Sequence, residues 1–96
     1  MAKRDWRAAQ LKKSREGCCR ACGARGTLDA AHVVARSLGG DDSELATVPL
    51  CRGCHTAFDE HALDLLPVLT KAEQAHAVNL VGLYQAWHAI TGQRPT

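Results

Sequence analysis

Two cysteine pairs, Cys19-Arg20-Ala21-Cys22 and Cys51-Arg52-Gly53-Cys54, share a two-residue spacer, and His55 directly follows the second. A tight turn with that spacer aims two thiolates at one point, and two such turns complete the tetrahedral set that zinc prefers. A site closed by four protein ligands leaves no position for substrate, so its role is structural. Between the pairs, His32 lies in Leu28-Asp29-Ala30-Ala31-His32-Val33-Val34, a run of small and aliphatic residues where a polar ring needs a reason. His55 starts a segment that zinc would clamp through Cys54, and a helix nucleated in that way is a rigid platform for chemistry. Asp59 is four residues on and shares a helix face with His55. The two histidines therefore suggest a second site that does chemistry. His61 lies off the His55/Asp59 face and is open in role, while His76 and His88 read as surface or packing residues.

The chain has five cysteines, so one is left over. By spacing it is Cys18; Cys18 could also replace Cys19, although a two-residue spacer makes the better knuckle. No apolar stretch follows the first charges, so no secretory signal is expected, and no apolar run is long enough to span a membrane. The expected setting is cytoplasmic and reducing, where cysteines favour metal over disulfides. Residues 1–25 carry Lys3, Arg4, Arg7, Lys12, Lys13, Arg15, Arg20 and Arg25 against Asp5 and Glu16, whereas the whole chain is only +2. A basic arm beside a metal module suggests a phosphate-backbone partner, and a solvated helix face is the plain alternative.

Positioning these residues requires one small α+β domain spanning 1–96, with a basic arm or helix (1–17), a cysteine-bound core (18–62), and a connector with a C-terminal helix (63–96). A helix over 5–15 would touch the body through Trp6 and Leu11 and stop at Gly17. Residues 18–26 read as a knuckle loop. Residues 27–34 read as a strand whose alternation puts Leu28, Ala30, His32 and Val34 on one face. A polar Gly-rich loop follows at 37–44, then a short strand at Thr47-Val48-Pro49-Leu50, with Pro49 limiting its pairing. After Cys51 the pattern turns helical, and Leu63, Leu65 and Leu66 form a connector to Pro67. Thr70-Lys71-Ala72-Glu73 is a capping box that opens the last helix. Its stripe of Ala77, Leu80, Val81, Tyr84 and Trp87 predicts a packed face, and Gly92 a stop.

Taken together, Cys-x-x-Cys, Ala31-His32 at a strand end, Gly39-Gly40-Asp41-Asp42, and Val48-Pro49-Leu50-Cys51-Arg52-Gly53-Cys54-His55 resemble an HNH endonuclease of the phage or bacterial type. The resemblance covers about residues 18–60. It implies a zinc-stapled ββα-metal core and a hydrolase that nicks or cuts DNA. Carried over by position, His32 matches the general base. His55 matches a ligand of the catalytic divalent ion, with Asp59 as a further ligand. Cys19, Cys22, Cys51 and Cys54 match the structural zinc ligands. Two positions depart from the pattern: Ala31 stands where many members have an acid, and Ala46 where the central asparagine falls. Asp29, Asp41, Asp42 and Glu44 are alternative acids, and Thr47 an alternative hydroxyl. Fewer carboxylates would favour Mn²⁺ or Ni²⁺ over Mg²⁺. The implied partner is DNA, double-stranded and read with low sequence specificity. Lys3, Arg4, Arg7, Lys12, Lys13, Arg15, Arg20, Arg36 and Arg52 are the candidates for backbone contact. A phage-packaging or host-repair partner would suit the same composition. The competing readings are a non-catalytic zinc-stapled nucleic-acid-binding module and a protein-interaction module on the same fold.

Overall fold

The computed structural model describes residues 7–92. Trp6, Lys3 and Arg4 lie outside the described residues. Strands β1 (Leu28–His32) and β2 (Thr47–Cys51) pair antiparallel, from Leu28 opposite Cys51 to His32 opposite Thr47. Helix α2 (Arg52–Asp59) follows β2 directly, giving a β-hairpin followed by a helix. Helix α1 (Arg7–Glu16) precedes the hairpin, and α3 (Lys71–Val81) and α4 (Leu83–Thr91) follow. Short 3₁₀ turns fill the connections at Arg36–Leu38, Glu44–Ala46 and Leu66–Val68. No helix among the described residues is long and apolar enough to cross a membrane.

Consecutive residues Thr47, Val48, Pro49 and Leu50 are all buried, so β2 is covered on both faces. Pro49 is tolerated there for a local reason. Its carbonyl accepts from the Arg20 N–H at 2.8 Å, outside the hairpin. In a strand, one residue's N–H and C=O point to the same side, so Pro49 lacks a donor only where the ladder needs none. The same bond docks the knuckle loop on β2. On β1 the expected shared face covers Leu28, Ala30 and His32 but not Val34. Leu28, Ala31, Val33 and Val34 are buried, while Ala30 and His32 are half-buried. The strand ends at His32, so its parity does not extend to Val34.

Helix α1 ends as expected, with Gly17 at φ +70 and its N–H on the Lys13 carbonyl at 3.0 Å. Its docking differs from expectation: Leu11 is 61% exposed, and the buried residues are Ala9 and Lys12. Lys12 lays its stem against the body and sends its ammonium to the Glu44 carbonyl at 2.6 Å, the Thr47 carbonyl at 2.7 Å and the Glu73 carboxylate. Arg20 lies beside it, bonding Glu16 at 2.6 Å, Glu73 at 2.7 Å and the Val68 carbonyl at 3.0 Å. The capping box also forms, with Thr70 and Glu73 satisfying each other's backbone N–H groups. Glu73 therefore caps α3 and anchors α1 at once.

The single last helix of the sequence reading is two helices. Gly82 separates them at φ 88, ψ 162, a backbone region essentially restricted to glycine. The stripe does not carry through that break. Ala86 and Ile90 are the buried apolar residues of α4, one turn apart, while Tyr84 is 61% and Trp87 42% exposed. The packed role expected for these two aromatics is thus corrected. Gly92 stops α4 in the left-handed region, donating to the His88 carbonyl at 2.9 Å.

Candidate metal centre and the histidine groove beside it

Cys19 and Cys22 come from the knuckle loop, Cys51 ends β2, and Cys54 lies in the first turn of α2. Their four Sγ atoms all lie within 4.8 Å of one another, and those of Cys22 and Cys51 are 3.8 Å apart. Four sulfurs held about 2.3 Å from a tetrahedral ion are about 3.8 Å apart along each edge, so the set has the size of a zinc site. All five cysteines are free. Cys19, not Cys18, belongs to the cluster. Burial opposes ionisation of Cys19, but the N–H groups of Cys51, Cys22 and Ala21 outweigh it and bring the thiol down to about 6. Burial, and then the surrounding sulfurs, push Cys54 up to about 12. Four thiols this close cannot all ionise without a cation among them, which is the donor chemistry of a structural zinc. The four cysteines could hold one.

His32 ends β1 and His55 occupies the first turn of α2, and the hairpin brings both onto one groove of about 550 Å³. Arg36, Asp59 and His61 share its wall, with Phe58 beneath. Sequence reasoning leaves four acids as alternatives, and the fold separates them. Asp42 reaches His32 Nε2 at 2.7 Å and takes Arg36 on its other oxygen at 2.9 Å. Asp29 receives His55 Nδ1 at 2.9 Å and both Arg52 donors, at 2.9 and 3.2 Å. Arg52, and then His55, hold the Asp29 carboxyl below the usual range. Asp41 accepts from the Ser43 hydroxyl at 2.6 Å and faces His76 at 3.3 Å, tying the loop to α3. Glu44 pairs with Arg15. Thr47 and Ala46 are buried, and the Thr47 hydroxyl has no partner among the described residues.

A carboxylate only accepts, so each of these imidazoles presents an N–H to it. In the neutral form, His32 then carries its lone pair on Nδ1 and His55 on Nε2. His55 Nε2 faces Asp59 Oδ2 at 3.6 Å, a pair of donors that a cation between them would stabilise. These two are not joined by a third ligand: among the described residues the cysteines form the only group of three or more metal-binding side chains.

A second groove of about 480 Å³ is lined in part by Lys13, Asp29 and Arg52. His55 and Asp59 border both grooves. Among the other arm residues, Arg7 and Arg15 are exposed, whereas Lys12 and Arg20 turn inward. Lys12 and Arg20 hold the fold together, so their charges are spent inside the domain.

The loop between the strands carries Asp42, and its closure depends on Gly40. A Cβ added there would lie 1.9 Å from the Val34 carbonyl oxygen and 2.8 Å from its carbon. Gly40→Ala is therefore expected to cost about 1–3 kcal/mol and to loosen Asp42 from His32. At Gly53 an added Cβ meets nothing within 4 Å, so Gly53→Ala in α2 is expected to be neutral or to stabilise by about 0.5–1 kcal/mol. Denaturant titrations of both variants check the contrast, and equal midpoints would refute the tight closure.

No protein-family model matches the chain, and neither the curated proteins nor the solved structures contain a significant match to it.

Proposed function

We propose that this protein is a metal-dependent DNA endonuclease of HNH type. The observation that carries the reading is the shared groove: His32 from β1 and the His55/Asp59 pair from α2 line it together, beside a four-cysteine cluster. His32 is the general base. Asp42 orients its ring, and the Nδ1 lone pair takes a proton from the attacking water. Asp29 fixes the His55 ring so that Nε2 is the ligating nitrogen, and Asp59 supplies the neighbouring oxygen. A divalent ion held by these two would stabilise charge on the scissile phosphate. Lys13 and Arg52 on one side, and Arg36 on the other, would contact the phosphates of a strand crossing the His55/Asp59 ridge.

A plasmid-nicking assay with Mg²⁺, Mn²⁺ and Ni²⁺ on zinc-loaded protein tests the reading. His32→Ala is expected to lose about 10²–10⁴-fold in rate, the usual share of a general base, with zinc content and DNA binding retained. Cleavage surviving in that variant removes His32 as the base. A second reading is favoured by one observation, the absence of a third ligand gathered with His55 and Asp59 among the described residues. On that reading the fold is a non-catalytic nucleic-acid-binding module, and the wild type binds DNA but does not nick it under any of the three ions.

A further inference from the structure

Helix α2 ends in a turn where glycine is the usual residue, but histidine occupies it. The His61 N–H donates to the Phe58 carbonyl at 3.0 Å and the Ala62 N–H to the Ala57 carbonyl at 2.8 Å. These crossed bonds form a Schellman cap, which requires left-handed backbone at His61. His61 is at φ 62, the one non-glycine residue with positive φ among those described. Glycine would adopt this conformation without a steric penalty. The histidine side chain therefore carries a conformational cost at this position that glycine would avoid.

The position is held from far along the chain. A Cβ on Gly92 would lie 2.9 Å from the His61 carbonyl oxygen and 3.1 Å from its Cα, so the end of α4 packs directly on this backbone. Nearby, the Leu65 N–H bonds the Ile90 carbonyl at 3.0 Å and fastens the connector to the same end. The imidazole itself is exposed and lines the groove that holds His32, His55, Asp59 and Arg36. His32, His55 and His76 each face a carboxylate, whereas the His61 ring has no hydrogen-bond partner among the described residues. The cap thus holds an imidazole donor without a protein partner at the edge of the groove.

The geometry points to His61 as a substrate-contacting residue that donates a hydrogen bond to a non-bridging phosphate oxygen of the strand in the groove. This inference rests on the nuclease reading of that groove. An imidazole presents an N–H in both its neutral and its protonated form, so the contact does not require a charge on His61.

The test uses the full zinc-loaded chain with His61→Gly and His61→Gln. Thermal unfolding, fluorescence-anisotropy binding to a duplex oligonucleotide without divalent ion, and plasmid nicking are measured on each. His61→Gly relieves the backbone, so its Tm is expected to equal or exceed that of the wild type. Its binding is expected to weaken about tenfold, the effect of one hydrogen bond to a charged partner, with nicking reduced in parallel. His61→Gln retains a donor and is expected to recover most of the binding. Wild-type binding in His61→Gly leaves the residue a helix cap and overturns the inference. So does a Tm several degrees lower, which would assign the imidazole to packing. If the wild type fails to nick with Mg²⁺, Mn²⁺ and Ni²⁺ alike while His61→Gly still weakens binding, the nuclease reading fails and the phosphate contact stands. A wild type that binds no DNA overturns both.

Discussion

Cys54→Ser is expected to leave the chain without a stable fold at any zinc concentration. The variant removes one of four cysteines whose Sγ atoms lie within 4.8 Å of one another. Structural zinc sites in small peptides contribute on the order of 10–16 kcal/mol, against a typical net stability of roughly 5–15 kcal/mol for a whole domain. The cluster also joins three elements: the knuckle loop, the end of β2 and the start of α2. Losing it releases the segment that carries His55 along with the loop. Helix α1 adds little apolar support to compensate, because it buries only Ala9 and Lys12. Amide dispersion in NMR and zinc stoichiometry by mass spectrometry check the outcome, with chelation of the wild type reproducing it. Cys18→Ser is the control. Cys18 lies outside the cluster, so this variant is expected to fold and bind one zinc ion. A well-dispersed, zinc-free Cys54→Ser would show that the apolar core holds the fold alone.

Glu73→Gln is expected to destabilise the protein by about 3–5 kcal/mol, the usual consequence of removing one partner from a buried ion pair. The side chains of Glu73 and Lys12 are only 2% and 4% exposed. Glutamine keeps the shape and can still cap Thr70, but it leaves the Lys12 ammonium buried without a counter-charge. Lys12→Met is expected to cost less, because Glu73 keeps Arg20 at 2.7 Å and the Thr70 N–H at 2.8 Å. Denaturant midpoints of the two variants test this order, and a larger loss in Lys12→Met would reverse the assignment.

The same carboxylate predicts a pH dependence. Burial alone would raise its pKa, but Arg20, Lys12 and the Thr70 N–H outweigh burial and hold it at about 2 against an ordinary value of 4.5. A depressed folded-state pKa contributes stability that is fully present above the unfolded value and is lost as pH falls through the folded one. The stability gap between wild type and Glu73→Gln is therefore expected to stay constant above about pH 5 and to narrow as pH falls from 4.5 toward 2. Acid also strips zinc from thiolates, so the gap is read only over the pH range in which both proteins still hold zinc and fold, where the shared cysteines make that contribution equal in both. A gap that widens in acid would contradict the ion-pair account.

What could be read in advance was what depends on neighbouring residues. The two-residue spacers announced the cysteine cluster, Thr70 and Glu73 their reciprocal cap, Gly17 and Gly92 the helix stops, and the patterns around His32 and Cys51 the two strands and the helix after them. The cap, the helix stops and each two-residue knuckle follow from backbone sterics or hydrogen bonds within a turn or two, so spacing alone is enough for them, whereas the meeting of the two knuckles and the pairing of Leu28 with Cys51 are long-range. The tertiary structure decided whatever depends on residues far apart in the chain. Lys12 looked like one more charge on a basic arm, yet its partner Glu73 is 61 residues away, and no local pattern can show such a pair. Tyr84 and Trp87 continued an apolar stripe, but the break at Gly82 turned α4 and left both outside. Asp42 and Asp29 stood among several equivalent acids until the loop and the hairpin placed one against His32 and the other against His55. The donor types and their spacing were thus written locally; which carboxylate serves which histidine is a property of chain crossings, set by packing and by the pairing of buried charges.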